Sequence, residues 1–161
     1  MSTQDAERPR APAVTGKLPH LLIVRAPYYR AVVDGLTEGA QAILAEARAT
    51  SEVFDVAGAY ELAQVIRIAL RGGRRYDGFI ALGCIIRGET DHYDFICKAS
   101  MDGLMTVALQ FGIALGTGLL TCETLVQAEA RSGKDGSHNK GAEAAVAALV
   151  QINASRHFGA I

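Results

Sequence analysis

Apolar residues recur along this chain in two periods, and the two alternate. Residues 18–26 form a nearly continuous apolar run with β-branched Ile23 and Val24, closed by Pro27. A short run of that kind predicts a strand covered on both faces. Residues 29–48 place Val32, Val33, Leu36, Ala40, Ile43, Leu44 and Ala47 at helical spacing, with charges on the other side. That pattern predicts an amphipathic helix. A short strand follows over 52–57, ending at Gly58, and then a helix over 61–70 that stops at Gly72-Gly73. The spacing then predicts a strand over 76–86, a helix over 92–111 and a fourth strand over 113–121. Within that last strand, Gly116 and Gly118 would permit close backbone approach by a ligand or a neighbouring chain. Helices over 123–130 and 140–158 close the chain, joined by a charged, Gly-rich connection over 131–139.

Strand and helix alternating throughout imply a parallel sheet with helices on both faces and right-handed crossovers. A chain of 161 residues, half of them hydrophobic, suits one domain with a substantial core. That domain is expected over 18–161. A polar arm rich in Pro, Ala and Arg precedes it over 1–17 and is expected to be flexible. A net charge of −1 argues against general binding to nucleic acid or a membrane surface, since both need a positive field. No apolar run approaches the ~20 residues that span a bilayer. No hydrophobic leader opens the chain, so a cytoplasmic location is expected. Cys84, Cys97 and Cys122 are odd in number, far apart and set in apolar runs. They read as small buried hydrophobes, not as a disulfide framework or zinc ligands. No dinucleotide or Walker glycine pattern is present, which disfavours nucleotide-driven chemistry.

In an open α/β sheet ligands sit beyond the carboxyl ends of the strands. Tyr28 and Tyr29 follow the first strand, and Gly58-Ala59-Tyr60-Glu61 follows the second. Arg87-Gly88-Glu89-Thr90-Asp91-His92 follows the third, and Thr121-Cys122-Glu123 the fourth. His92 at a helix start is either a general acid/base or a surface histidine. Gly88, Glu89 and Thr90 either present free N–H groups to an anion or simply cap the helix. Arg87 either binds substrate or holds the loop by an ion pair. Arg131, Lys134 and Lys140 either meet a phosphate or stay solvated. Tyr28 either stacks on a flat heterocycle or packs on its own domain. Glu61 either accepts hydrogen bonds from a polyol or favours its helix dipole.

Ile86-Arg87-Gly88-Glu89-Thr90 with His92 and Tyr93-Asp94, Gly58-Ala59-Tyr60-Glu61, and Asn139-Lys140-Gly141 before an Ala-rich helix occur in that order. Together they resemble the lumazine synthase family over nearly the whole chain after the arm. The resemblance implies a flavodoxin-like three-layer α/β/α sandwich with a four-stranded parallel sheet. It implies condensation of 5-amino-6-(D-ribitylamino)uracil with 3,4-dihydroxy-2-butanone 4-phosphate, with no metal or organic cofactor. It places Tyr28 as the aromatic on the pyrimidine, Ala59, Tyr60 and Glu61 on the ribityl chain, and Cys84, Ile85 and Ile86 along the pyrimidine pocket. Glu89 and Thr90 fall on the phosphate loop, Arg131 on the phosphate-pairing arginine, and His92 on the proton-transfer histidine.

Some positions depart from the family pattern. Ala57 stands where Pro is usual, Thr124 where Asn is common, and Thr117 where many members have a Phe supplied by the neighbouring subunit. The 131–139 connection is one residue longer than in shell-forming members, so the expected assembly is a homopentamer with sites between subunits. A different class of reading is a non-catalytic paralogue that binds lumazine or flavin on the same scaffold.

Overall fold

Four strands assemble into one parallel sheet in the computed structural model, which describes residues 8–133 and 138–160. They are β1 (His20–Ala26), β2 (Thr50–Asp55), β3 (Gly78–Ile86) and β4 (Leu115–Cys122), in the order β2-β1-β3-β4. Between them run α1 (Arg30–Glu46), α2 (Tyr60–Arg71) and α3 (His92–Phe111), and α4 (Leu125–Glu129) and α5 (Lys140–His157) follow. The alternation implied the parallel sheet with helices on both faces, and the family resemblance implied its flavodoxin-like arrangement; both are found.

The period of two within each strand divides the core. Leu21 and Ile23 of β1, with Ile80 and Leu82 of β3, pack against Leu36 and Leu44 of α1 and Leu149 and Ile152 of α5. Leu22, Val24 and Ala26, with Phe79, Ala81 and Ile85, pack against Leu62 and Ile66 of α2 and Leu104 and Val107 of α3. Both faces are therefore covered, as a parallel sheet requires. β2 is an edge strand and its Val53 and Phe54 are exposed. It begins two residues before the expected position, and β1 begins only after Pro19, which has no N–H to donate.

The arm residues 8–17 form neither helix nor strand. Ala11 and Val14 nevertheless pack on the α1/α5 side of the core. The Asn153 side chain donates to the Ala13 carbonyl at 2.8 Å and accepts from the Thr15 N–H at 3.2 Å, so this stretch lies along α5.

The close approach at Gly116 turns out to be made by the chain itself. A Cβ on Gly116 would stand 1.9 Å from the Ala144 carbonyl oxygen of α5. Asn139 fixes where that helix starts. Its side-chain oxygen accepts from the N–H groups of Gly141 and Ala142 at 2.9 and 3.1 Å. Its amide donates to the carbonyls of Gly35 and Gly133 at 2.8 and 3.1 Å, and the residue is buried. Asn139→Ala removes the cap and the buried ties to the Gly35 and Gly133 carbonyls. A loss of about 2 kcal/mol is expected, read as a lower thermal midpoint. An unchanged midpoint would contradict this role. Among the described residues no helix is long and apolar enough to cross a membrane.

Candidate active site

Ala26 of β1 pairs with Gly83, so Cys84, Ile85 and Ile86 project beyond the end of β1. The chain turns one way from β1 to β2 and the other way from β3 to β4, which makes the space between β1 and β3 the switch point of the sheet. A cavity of about 290 Å³ opens there. Its walls are Ala26 at the end of β1 with Tyr28 and Tyr29 after it, Gly58 and Ala59 after β2, and Cys84, Ile85 and Ile86 at the end of β3 with Gly88 and Thr90 after it. The first turns of α3 add His92, Tyr93 and Ile96. A mostly apolar wall with a few polar groups on one side suits a flat heterocycle carrying polar substituents.

Local turns aim these groups. The Tyr28 N–H donates to the Ala26 carbonyl at 2.9 Å, a tight turn past Pro27. It leaves the Tyr28 ring 79% exposed at the mouth, edge-on to Tyr29 at 5.3 Å, and so free to stack on something else. Glu61 donates its N–H to the Gly58 carbonyl, and its carboxylate lies 3.3 Å from where a Cβ on Gly58 would be. It thus occupies the first turn of α2, favoured by the dipole, and also abuts the Gly58 wall.

α3 opens with no side-chain cap. Only Asp94 and Phe95 reach back, both to the Asp91 carbonyl. Thr90 is therefore not spent as a cap, and the N-terminal turn of a long helix, with its unpaired N–H groups, borders the cavity. His92, the first residue of α3, is exposed on that wall.

Of its two readings, Arg87 shows the ion pair. Its Nη1 and Nη2 donate to the two Asp94 oxygens at 3.0 and 2.8 Å, and its Nε lies 2.9 Å from Glu123. The hydrogen bonds from Arg87 hold the Asp94 carboxyl below its usual range, and the guanidinium is correspondingly raised. Burial pushes the Cys84 thiol up to about 12, with nearby Cys122 adding to it. Burial also raises Cys97, Cys122 and Tyr93. The thiols are free and stay protonated near neutral pH, so none is poised as a nucleophile. Among the described residues no group of three or more His, Cys, Asp or Glu is arranged to hold a metal.

Residues 19–156 match the model of the 6,7-dimethyl-8-ribityllumazine synthase family. The chain belongs to that family. The 6,7-dimethyl-8-ribityllumazine synthase of Agrobacterium fabrum is 44% identical over 145 residues, covering 88% of this chain and 97% of its own. The enzyme named 6,7-dimethyl-8-ribityllumazine synthase 1 in Mesorhizobium japonicum is 42% identical over 157 residues, covering 95% of this chain and 92% of its own. The Methylobacterium radiotolerans relative of the same name is 44% identical over 144 residues, covering 89% and 85%.

Of the positions that the lumazine synthase resemblance singled out, Tyr28, Ala59, Cys84, Ile85, Ile86, Thr90 and His92 come together on one cavity. Tyr60 and Glu89 are exposed beside it, next in sequence to wall residues. Two positions lie elsewhere. Thr117 faces a separate depression between β4 and α3, with Met101, Met105 and Leu109. Arg131 follows α4, donates to the Gln127 carbonyl at 2.8 Å, and is not part of the cavity wall. Lys140 is engaged by Glu143 at 2.6 Å, and Lys134 lies outside the described residues. Thr124 caps α4 by accepting from the Gln127 N–H, so Thr serves here where Asn is common. Sequence reasoning left out Tyr93 and Ile96 as wall residues. The signal was present, because Ile96 lies one helical turn beyond His92 on the same face.

Proposed function

We propose that this chain condenses 5-amino-6-(D-ribitylamino)uracil with 3,4-dihydroxy-2-butanone 4-phosphate to give 6,7-dimethyl-8-ribityllumazine. The observation that carries this is the meeting of His92 and the uncapped start of α3 with an apolar, Tyr28-lidded cavity at the switch point of the sheet. The pyrimidine amine attacks the ketone, and the carbinolamine loses water to give an imine. Elimination expels phosphate, and the ribityl-bearing nitrogen closes the second ring with loss of water. His92 donates and accepts protons in these steps. Thr90 and the first N–H groups of α3 take the phosphate charge. Tyr28, Ile85 and Ile86 hold the pyrimidine, and Tyr60 and Glu61 lie where the ribityl chain would run. Holding two reactants in register supplies much of the rate, because little covalent help is needed.

The same reading completes the site with a second subunit. Thr117 and Arg131 lie off the cavity of their own chain, and a neighbour in a homopentamer would bring them to it. Phe95, Met101, Met105 and Leu109 leave α3 with an exposed apolar row that a partner would cover. The enzyme would work in the cytoplasm.

The purified chain, mixed with both substrates, should develop lumazine absorbance that requires each of them. Absence of product would overturn the proposal, and binding of lumazine without forming it would assign a binder instead. Static light scattering reads the assembly. Mixed assemblies of His92→Ala and Arg131→Ala chains give a further prediction. If each site draws on two subunits, about one site in four regains both groups and activity returns. Mixtures no more active than their components would place the site within one chain.

A further inference from the structure

Arg87 takes no part in the reaction as proposed, yet its side chain joins the segments that wall the cavity. Its own N–H donates to the Cys122 carbonyl at 3.0 Å, continuing the β3–β4 ladder past the sheet. The guanidinium forks onto both oxygens of Asp94 in the first turn of α3 and reaches Glu123 after β4 with Nε. Its flat face lies 4.1 Å from the centre of the Tyr93 ring, which is itself part of the cavity wall. Each nitrogen of the group thus meets a carboxylate oxygen, and its charge is balanced by two acidic side chains.

The loop that it anchors has little else to hold it. Gly88 has no atom within 4 Å of where a Cβ would be, and Glu89, Thr90, Asp91 and His92 are exposed. No side chain caps α3. Beyond Glu123 the connection continues. The Glu123 N–H donates to the Gln127 side chain at 2.9 Å, and the Gln127 carbonyl accepts from Arg131 at 2.8 Å. One planar fork thus links the turn that carries His92 to the corner that carries Arg131.

We propose that Arg87 is a positioning residue for the lumazine-forming reaction, fixing the first turn of α3 so that His92 and the helix N-terminus address the phosphate-bearing substrate. This rests on the activity proposed above. Exposed ion pairs contribute little to folding, and these are 38%, 61% and 57% exposed at Arg87, Asp94 and Glu123. The clamp therefore acts on orientation, where a displacement of about an ångström costs on the order of a hundredfold in rate. A lysine is a point charge and cannot make the same two-pronged contact while stacking on Tyr93.

Arg87→Met keeps the apolar stem and removes the fork. In the assembled protein its kcat should fall roughly ten- to hundredfold. The Michaelis constant for the pyrimidine and the thermal midpoint should stay close to wild type. Arg87→Lys should recover only part of the loss. Asp94→Asn should reproduce much of the defect, and the double variant should be no worse than Arg87→Met, which already breaks the shared Asp94 contact. Wild-type turnover in Arg87→Met, or additive losses in the double variant, would overturn the proposal. So would a joint loss of kcat, both Michaelis constants and thermal stability, which marks general support of the fold. Amide hydrogen exchange gives a readout that needs no turnover. Exchange over 94–97, which carries the first hydrogen-bonded N–H groups of α3, should quicken about tenfold in Arg87→Met while β3 and β4 stay protected. Unchanged exchange there overturns the clamp even if the wild type forms no lumazine, so the two readings fail separately.

Discussion

His92→Ala is expected to lose roughly a hundred- to ten-thousandfold in turnover, the range that a positioned acid/base contributes. Five titratable side chains line the cavity: Tyr28, Tyr29, Cys84, His92 and Tyr93. Burial moves Cys84 and Tyr93 further from neutrality. Imidazole is the side chain whose ordinary titration falls near neutral pH. The condensation needs a proton given to the departing water and another removed before elimination, so the same group must work in both directions. The imidazole is exposed, so truncation leaves no buried void and should not alter folding. Steady-state kinetics should therefore show a fall in kcat, with lumazine binding by direct fluorescence titration kept within a few-fold. Turnover within tenfold of wild type would move proton transfer to another group or to bulk water.

The convergence of Tyr28, Ala59, Cys84 to Ile86, Thr90 and His92 was legible in the chain because topology dictates it. Once strands and helices alternate, every strand end falls on one side of the sheet. α3 was legible to its last residue, because Gly112 takes a left-handed conformation and closes it. β2 was placed less well. It is an edge strand with exposed Val53 and Phe54, so its hydrophobic pattern does not follow burial. That Arg87 could hold its loop by an ion pair was legible, but its partners were not. One partner lies seven residues on and the other beyond β4, and only folding shows that both carboxylates reach one guanidinium. Thr117 and Arg131 carry a different lesson. Family likeness put them at the site, whereas their own chain directs them away from its cavity. A single chain's periodicity says nothing about what a second copy contributes.

Gly116→Val is expected to prevent folding, and even Gly116→Ala to cost roughly 3 kcal/mol or more. The methyl group of alanine would sit 1.9 Å from the Ala144 carbonyl oxygen, 2.7 Å from its carbon and 3.2 Å from its Cα. These are backbone atoms inside a helix, so no rotamer change relieves the overlap, and α5 as a whole would have to retreat. It cannot do so cheaply. On its other flank α5 meets α1 equally closely, where a Cβ on Gly141 would lie 1.9 Å from the Leu36 carbonyl oxygen. Ala145, Ala148, Leu149 and Ile152 are fully buried along the same helix, and lifting it would expose them at about 25 cal/mol for each Å² of apolar surface. A domain's whole stability is about 5–15 kcal/mol, so the valine exceeds what the fold can absorb. Gly73→Ala is the matched control, because nothing lies within 4 Å of its Cβ position. Denaturant midpoints separate the two. The Gly73 variant should unfold with wild type and the Gly116 variant well before it. Coincident midpoints would show that α5 can shift, and that its close seating on β4 is not what requires glycine.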